Sequence, residues 1–167
     1  MIDAQAELLR DTLPDGDAVN ARAMAERFHA ESRRIVDRNR ALLERLGREH
    51  RLAVVSNFTG NLERCLDELG LLHFFGAITD SAVVGRSKPS PELFVDTLRR
   101  LGVPPERAWM VGDNFEADIR PALTLGLRAC WLASAARPAP AGYAPSARIT
   151  RLPDLESVLA RGAVCTD

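Results

Sequence analysis

From residue 52 onward the chain alternates short apolar runs with segments of helical length, and this alternation restricts its fold more than any other feature. Leu52–Val55, Ala77–Thr79, Ala108–Val111 and Leu127–Leu132 read as strands, with a further short strand around Ile149. The spacers read as helices. Leu62–Leu69 closes at Gly70 and Phe115–Leu125 at Gly126, while Pro91–Leu101 has Pro in its first turn and Ser90 in the capping position. After a Pro/Ala-rich loop at Ala136–Pro145, a last helix covers Leu155–Leu159. Strands separated by helices of this length are joined by right-handed crossovers. The pattern therefore predicts an α/β fold, a Rossmann-like parallel sheet with flanking helices on both faces.

Ahead of the alternation, residues 19–46 carry Met24, Phe28, Ile35, Leu42 and Leu46, separated by sums of three- and four-residue steps. That spacing predicts an amphipathic helix or a helical pair, with Gly47 as its stop. Leu13-Pro14-Asp15-Gly16-Asp17 is turn chemistry. A helical segment at 1–50 thus precedes an α/β core at 51–167. No repeat or linker divides them, and 167 residues suit one structural domain.

Charge excludes several classes of partner. With 22 basic and 23 acidic residues the net charge is −1, so no overall field favours nucleic acid or an anionic membrane. Any bound anion must be held by a local site. Cys65, Cys130 and Cys165 match neither a zinc pattern nor a disulfide framework; the first two read as core residues and the third as a tail thiol. No basic-then-apolar leader and no segment of transmembrane length is present, so the chain reads as cytoplasmic.

In open parallel sheets ligands collect beyond the carboxyl ends of the strands, and three polar clusters belong at that edge. Ser56-Asn57 follows Leu-Ala-Val-Val directly. A hydroxyl there suits a phosphate oxygen, although taken alone Ser-Asn reads better as a helix cap. Lys88, in "GRSKPSPELF", can aim an ammonium at a dianion or sit solvated in its loop; Arg86 reads as a surface charge. Asp113 stands in the turn after a strand, and Asp118 lies early in the next helix. Carboxylates about 4 Å apart repel by roughly 4 kcal/mol at an effective dielectric near 20, so a cation should stand between or beside them. Mg²⁺ is one candidate, since it prefers oxygen ligands and retains waters for a phosphate. The plainer alternative makes Asp113 a helix cap and pairs Asp118 with Lys88.

The order of the three clusters resembles the haloacid dehalogenase (HAD) superfamily, mostly Mg²⁺-dependent phosphatases. "LAVVSN" is similar to its second motif, "SKPSPELF" to its third and "MVGDNFEADIRPALTLGL" to its fourth, over roughly residues 20–160. The resemblance implies a HAD-like core in which Ser56 and the Asn57 amide bind phosphate and Lys88 steadies the phosphoryl group. It further implies that Asp113 ligates Mg²⁺ and that Asp118 supports the metal or its waters. The substrate would be a small phosphorylated metabolite, and the N-terminal helix a remnant of a mobile cap.

One part of that pattern does not appear. The family's chemistry starts from an Asp-x-Asp closing a first central strand, whose first Asp attacks phosphorus and whose second is the general acid/base. Here the sole Asp-x-Asp, Asp15-Gly16-Asp17, follows Thr-Leu-Pro rather than an apolar run, and Asp80 reads as an ordinary strand-end residue. With that strand missing, three arrangements are open. An upstream segment or partner chain fills the place, the two neighbouring strands pair directly, or a second copy completes the sheet as a homodimer. The expected activity is accordingly a phosphatase-type hydrolase that is truncated and inactive as this chain alone. The alternatives are a non-catalytic HAD-fold binding or regulatory protein and a haloacid dehalogenase-type hydrolase. A receiver-like or dinucleotide-binding module is disfavoured, because no Gly-x-Gly-x-x-Gly follows a strand.

Overall fold

Apolar runs covered by helices on both faces become parallel strands, and the ladders here have that form. The structure, a computed structural model, describes residues 18–162. Its elements run α1 (Ala18–Glu49), β1 (Leu52–Ser56), α2 (Leu62–Glu68), β2 (Phe75–Asp80), α3 (Ser81–Val84), α4 (Pro91–Leu101) and β3 (Trp109–Gly112). A π-helical turn (Phe115–Ile119) then leads into α5 (Arg120–Thr124), β4 (Arg128–Leu132), β5 (Ala147–Ile149) and α6 (Leu155–Gly162). The turn at residues 13–17, with its Asp15-Gly16-Asp17, and Cys165 lie outside the described residues.

All ladders are parallel, but they form two sheets. β1 pairs with β2, setting Ser56 opposite Asp80, while β3 pairs with β4 and β4 with β5. β1 and β3 are not hydrogen-bonded to each other, so direct closure of the two neighbours is not the arrangement adopted. Between them lies a cavity of about 610 Å³, edged by Leu52–Val55 on one side and Trp109–Val111 on the other.

Two apolar layers sandwich the sheets. Leu93, Phe94 and Leu98 of α4 pack with Phe115, Ile119 and Trp131 on one face. Leu42 and Leu46 of α1 pack with Leu155, Cys130 and Ile149 on the other. Val55 and Met110 face the first layer, and Leu52, Trp109 and Val111 the second, as the two-residue strand period requires. Each fully buried Leu or Phe contributes about 1.5–3 kcal/mol of transfer free energy.

Several local expectations are corrected. Of the two arrangements open for residues 19–46, a single helix is the one adopted, but α1 does not stop at Gly47 and continues to Glu49. An internal glycine costs only about 1 kcal/mol, which burial of Leu42 and Leu46 beside it offsets. Met24, Phe28 and Ile35, on the same apolar pattern, are 47%, 62% and 42% exposed. Ser90 does occupy the N-cap position of α4, but its hydroxyl donates to the Glu92 carboxylate rather than capping the helix backbone. The predicted helix at Phe115–Leu125 starts as a π turn, because Pro121 has no N–H to give back to the preceding turn. Gly70 and Gly126 lie just beyond α2 and α5, at φ of +65° and +84°. No described helix is long and apolar enough to cross a membrane.

Candidate functional site

Ser56, Asp80 and Gly112 are the last residues of β1, β2 and β3. The loops beyond them meet at Lys88, which links the two sheets. On one side the Asn57 carboxamide clamps the Lys88 peptide: Lys88 N–H donates to Asn57 Oδ1 at 2.7 Å, and Asn57 Nδ2 donates to the Lys88 carbonyl at 3.1 Å. On the other side Lys88 Nζ donates to Asp118 Oδ1 at 2.6 Å. The two side chains are only 12% and 6% exposed. Lys88 is also the only lysine among the 22 Lys and Arg residues of the chain. At this half-enclosed point a compact ammonium serves where a planar guanidinium would need more room.

The cation that Asp118 requires is therefore Lys88, the plainer of the two pairings open from sequence. Asp118 is buried, and its Oδ2 also accepts the Asn114 N–H at 3.2 Å. Gly112 allows this packing. A Cβ there would fall 2.5 Å from both Asp118 Cβ and Asp118 Oδ2, so the carboxylate lies directly over a strand end that has no side chain.

Two cap readings are settled by the same geometry. α2 begins only at Leu62, five residues beyond Asn57, so Ser56-Asn57 is not its cap. The half-buried Ser56 hydroxyl has no hydrogen-bond partner among the described residues. Asn57 is a strut, its carboxamide committed to Lys88. Nor does Asp113 cap the following turn; Asn114 does, its Oδ1 accepting the Ala117 N–H at 3.0 Å. That leaves the exposed Asp113 carboxylate without an ion pair among the described residues, while its main-chain carbonyl accepts Trp131 Nε1 at 3.1 Å.

Asp80 does more than end a strand. Only 5% exposed, it accepts Gly60 N–H at 2.9 Å and Leu62 N–H at 3.2 Å on Oδ2, and Ala82 N–H at 3.0 Å on Oδ1. Ser81 Oγ adds two bonds to Phe58, accepting its N–H at 3.0 Å and donating to its carbonyl at 3.1 Å. Together they fix the loop that carries Asn57. Its sequence signal was weak, being only an Asp-Ser pair closing an apolar run.

Among the described residues no three His, Cys, Asp or Glu side chains gather as a metal cluster. Asp113 and Asp118 nevertheless fit Mg²⁺ by donor chemistry. Both offer only oxygen, and Mg²⁺ binds through one or two carboxylates while retaining waters. Asp113 is the freer donor, since Lys88 and Asn114 already engage Asp118.

With this geometry in hand, comparison with known proteins is informative. The sequence matches the profile of a hydrolase family, the haloacid dehalogenase-like hydrolases, over residues 4–126. A phosphoserine phosphatase of Thermus thermophilus is 38% identical over 138 residues, covering 80% of this chain and 55% of that protein. The pyrimidine 5'-nucleotidase YjjG of Escherichia coli is 32% identical over 123 residues, covering 72% of this chain and 55% of its own length. The chain thus spans about half the length of the curated relatives it matches. Among solved structures, a HAD phosphatase from Thermococcus onnurineus superposes with a TM-score of 0.68 at 23% identity, covering 95% of this chain and 89% of that one. A 2-haloacid dehalogenase from Pseudomonas syringae gives 0.66 at 27% identity, covering 96% and 72%.

Proposed function

The chain belongs to the haloacid dehalogenase-like hydrolase family, and from that premise we propose that it forms the phosphate- and Mg²⁺-binding part of a cytoplasmic phosphomonoesterase acting on a small phosphorylated metabolite. The observation that carries this reading is the Lys88–Asp118 pair, enclosed at the sheet rim and tied through Asn57 to the end of β1. A fixed ammonium there neutralises a phosphoryl oxygen, and the Ser56 hydroxyl donates to another. Asp113 would hold Mg²⁺, with Asp118 supporting the ion or its waters. When bound, the ion supplies a divalent charge against the phosphoryl oxygens. The two curated relatives described above are named for phosphorylated substrates, which favours phosphate over halide chemistry. On this reading residues 1–50 are a cap remnant and 51–167 the core.

The chain alone would bind phosphate without turning over phosphomonoesters, because its sole Asp-x-Asp follows Thr-Leu-Pro rather than an apolar run in the sequence. The same observation favours a second reading, a family member that acts by binding only. Calorimetry of residues 1–167 with inorganic phosphate, with and without Mg²⁺, tests the binding half. Mg²⁺-dependent binding that is lost in Lys88→Met and Asp113→Ala is expected; binding indifferent to the metal or to both substitutions would overturn it. An assay with p-nitrophenyl phosphate tests the other half, where turnover abolished by Asp113→Ala would refute inactivity.

A further inference from the structure

A second cavity, of about 350 Å³, lies further along the rim, beyond Asp113. Asn114, Phe115 and Glu116 line it from the turn after β3, and Trp131, Arg137 and Pro138 from β4 and the loop that follows. Strand register places it close to the candidate metal acid. Gly112 pairs with Trp131 across the β3–β4 ladder, one strand spacing of about 4.8 Å. Trp131 Nε1 also holds the Asp113 carbonyl at 3.1 Å.

The loop that carries Arg137 is fixed from below. Arg148 Nη1 donates to the Ser134, Ala135 and Arg137 carbonyls at 3.5, 3.2 and 2.8 Å. The guanidinium carbons of Arg148 and Arg137 lie 4.5 and 5.2 Å from the centre of the Trp131 ring, within cation–π range. Phe115 meets the same ring edge-on at 4.9 Å. Arg148 thus spends donors on the backbone, whereas the exposed Arg137 guanidinium has no hydrogen bond or ion pair among the described residues. Asn114 is left with a donor as well. Its Oδ1 accepts the Ala117 N–H, and its Nδ2 donates to no group among the described residues.

We infer that this cavity is a carboxylate subsite, in which Arg137 and Asn114 hold a carboxylate of the same molecule whose phosphoryl group sits at Lys88 and Asp113. The inference deepens the phosphate reading and rests on it, naming the substrate class as a phosphomonoester that also carries a carboxylate. Donor chemistry selects an oxyanion, because a planar guanidinium fork matches two oxygens on one carbon. Charge selects a monoanion. Glu116 lines the cavity, and its exposed pairing with Arg120 offsets its charge only in part. A second phosphate dianion would face Glu116 and Asp113 together, and a carboxylate meets about half that repulsion. Phe115 and Pro138 leave apolar surface for the short carbon chain between the two charged ends.

The test is calorimetry, with Mg²⁺ present, of phosphonoalkanoates of two to five carbons against alkylphosphonates of the same chain lengths. Neither series has a P–O ester bond to cleave. At one length the carboxylated ligand should bind about tenfold more tightly than its uncharged match. Arg137→Gln should remove that preference, and Arg137→Lys should keep only part of it, since an ammonium lacks the fork. Glu116→Gln should raise the affinity of the alkane bisphosphonate of that length about threefold. Equal affinity of the two series at every length, or a preference untouched by Arg137→Gln, would overturn the subsite while the phosphate reading stands. A bisphosphonate preferred over the carboxylate by the parent chain would overturn the choice of a monoanion. Binding of neither series would overturn the phosphate reading, and the subsite with it.

Discussion

Lys88 Nζ lies 2.6 Å from Asp118 Oδ1 where neither side chain has much access to water, so each charge depends on the other. Breaking such a pair from one side leaves an uncompensated charge, at about 3–5 kcal/mol, whereas replacing both partners costs far less. Lys88→Met and Asp118→Asn should each lower stability by about that amount in urea titrations. The double substitution should cost clearly less than the sum of the two. Lys88→Arg should not rescue, because a planar fork does not fit where one ammonium makes a single short bond. Additive costs would mean that the two groups do not act as a pair.

Gly112 is held to glycine by its neighbour rather than by its backbone. With Asp118 Cβ and Oδ2 both 2.5 Å from where a Cβ would stand, Gly112→Ala must push the strand end or the carboxylate aside. Overpacking of this kind costs about 1–3 kcal/mol. Urea denaturation of Gly112→Ala checks the size, and its phosphate affinity should fall as well if Asp118 is displaced. An unchanged midpoint would show that the rim is looser than the geometry indicates.

Asp80 holds the loop between β1 and α2 through three main-chain N–H groups. A hydrogen bond to a charged acceptor contributes about 1.5–3 kcal/mol, and loss of the α3 cap alone about 1 kcal/mol. Asp80→Ala should therefore destabilise by about 2–3 kcal/mol and speed exchange at the Gly60 and Leu62 amides. Through the freed loop, it should also loosen the Asn57 clamp on Lys88. Protection at those two amides unchanged from the parent would remove Asp80 from this role.

The strands were legible because a sheet covered on both faces needs unbroken apolar runs, and Leu52–Ser56, Trp109–Gly112 and Arg128–Leu132 each fall within a residue or so of where those runs lie. Gly47 misled because a glycine's cost is small against the burial of Leu42 and Leu46 beside it. At the site, the sequence order of Ser56, Lys88, Asp113 and Asp118 marked the clusters, but not the bonds between them. Asn57 read as a capping group, and its carboxamide is instead a strut against the Lys88 peptide, a partner 31 residues away. Asp80 was undervalued because its three partners lie up to 20 residues away and are main-chain groups, which carry no side-chain signature.

Cys130 gives the chain an alkaline limit that can be calculated in sign. Its thiol is buried among Leu42, Leu46, Ile149 and Leu155, and burial pushes its pKa up from the ordinary 9.0 to about 11. Folding thus favours the neutral thiol over the thiolate. The associated stability is fully present below pH 9 and is lost as pH rises through about 11. At about 1.36 kcal/mol per pKa unit, roughly 2–3 kcal/mol should disappear across that window. Cys130→Ala should lower stability by a cost that is constant with pH, from the cavity left behind, while flattening the alkaline fall. Urea midpoints of the parent and the variant should therefore converge between pH 9 and about 11. A thiol reagent at neutral pH gives the kinetic counterpart. Cys65, whose pKa burial and then Glu68 also raise, is only half-buried and should react first, whereas Cys130 should react no faster than the protein unfolds. Parallel stability profiles for parent and variant, or prompt labelling of Cys130, would show that water reaches the α1–α6 layer in the folded state.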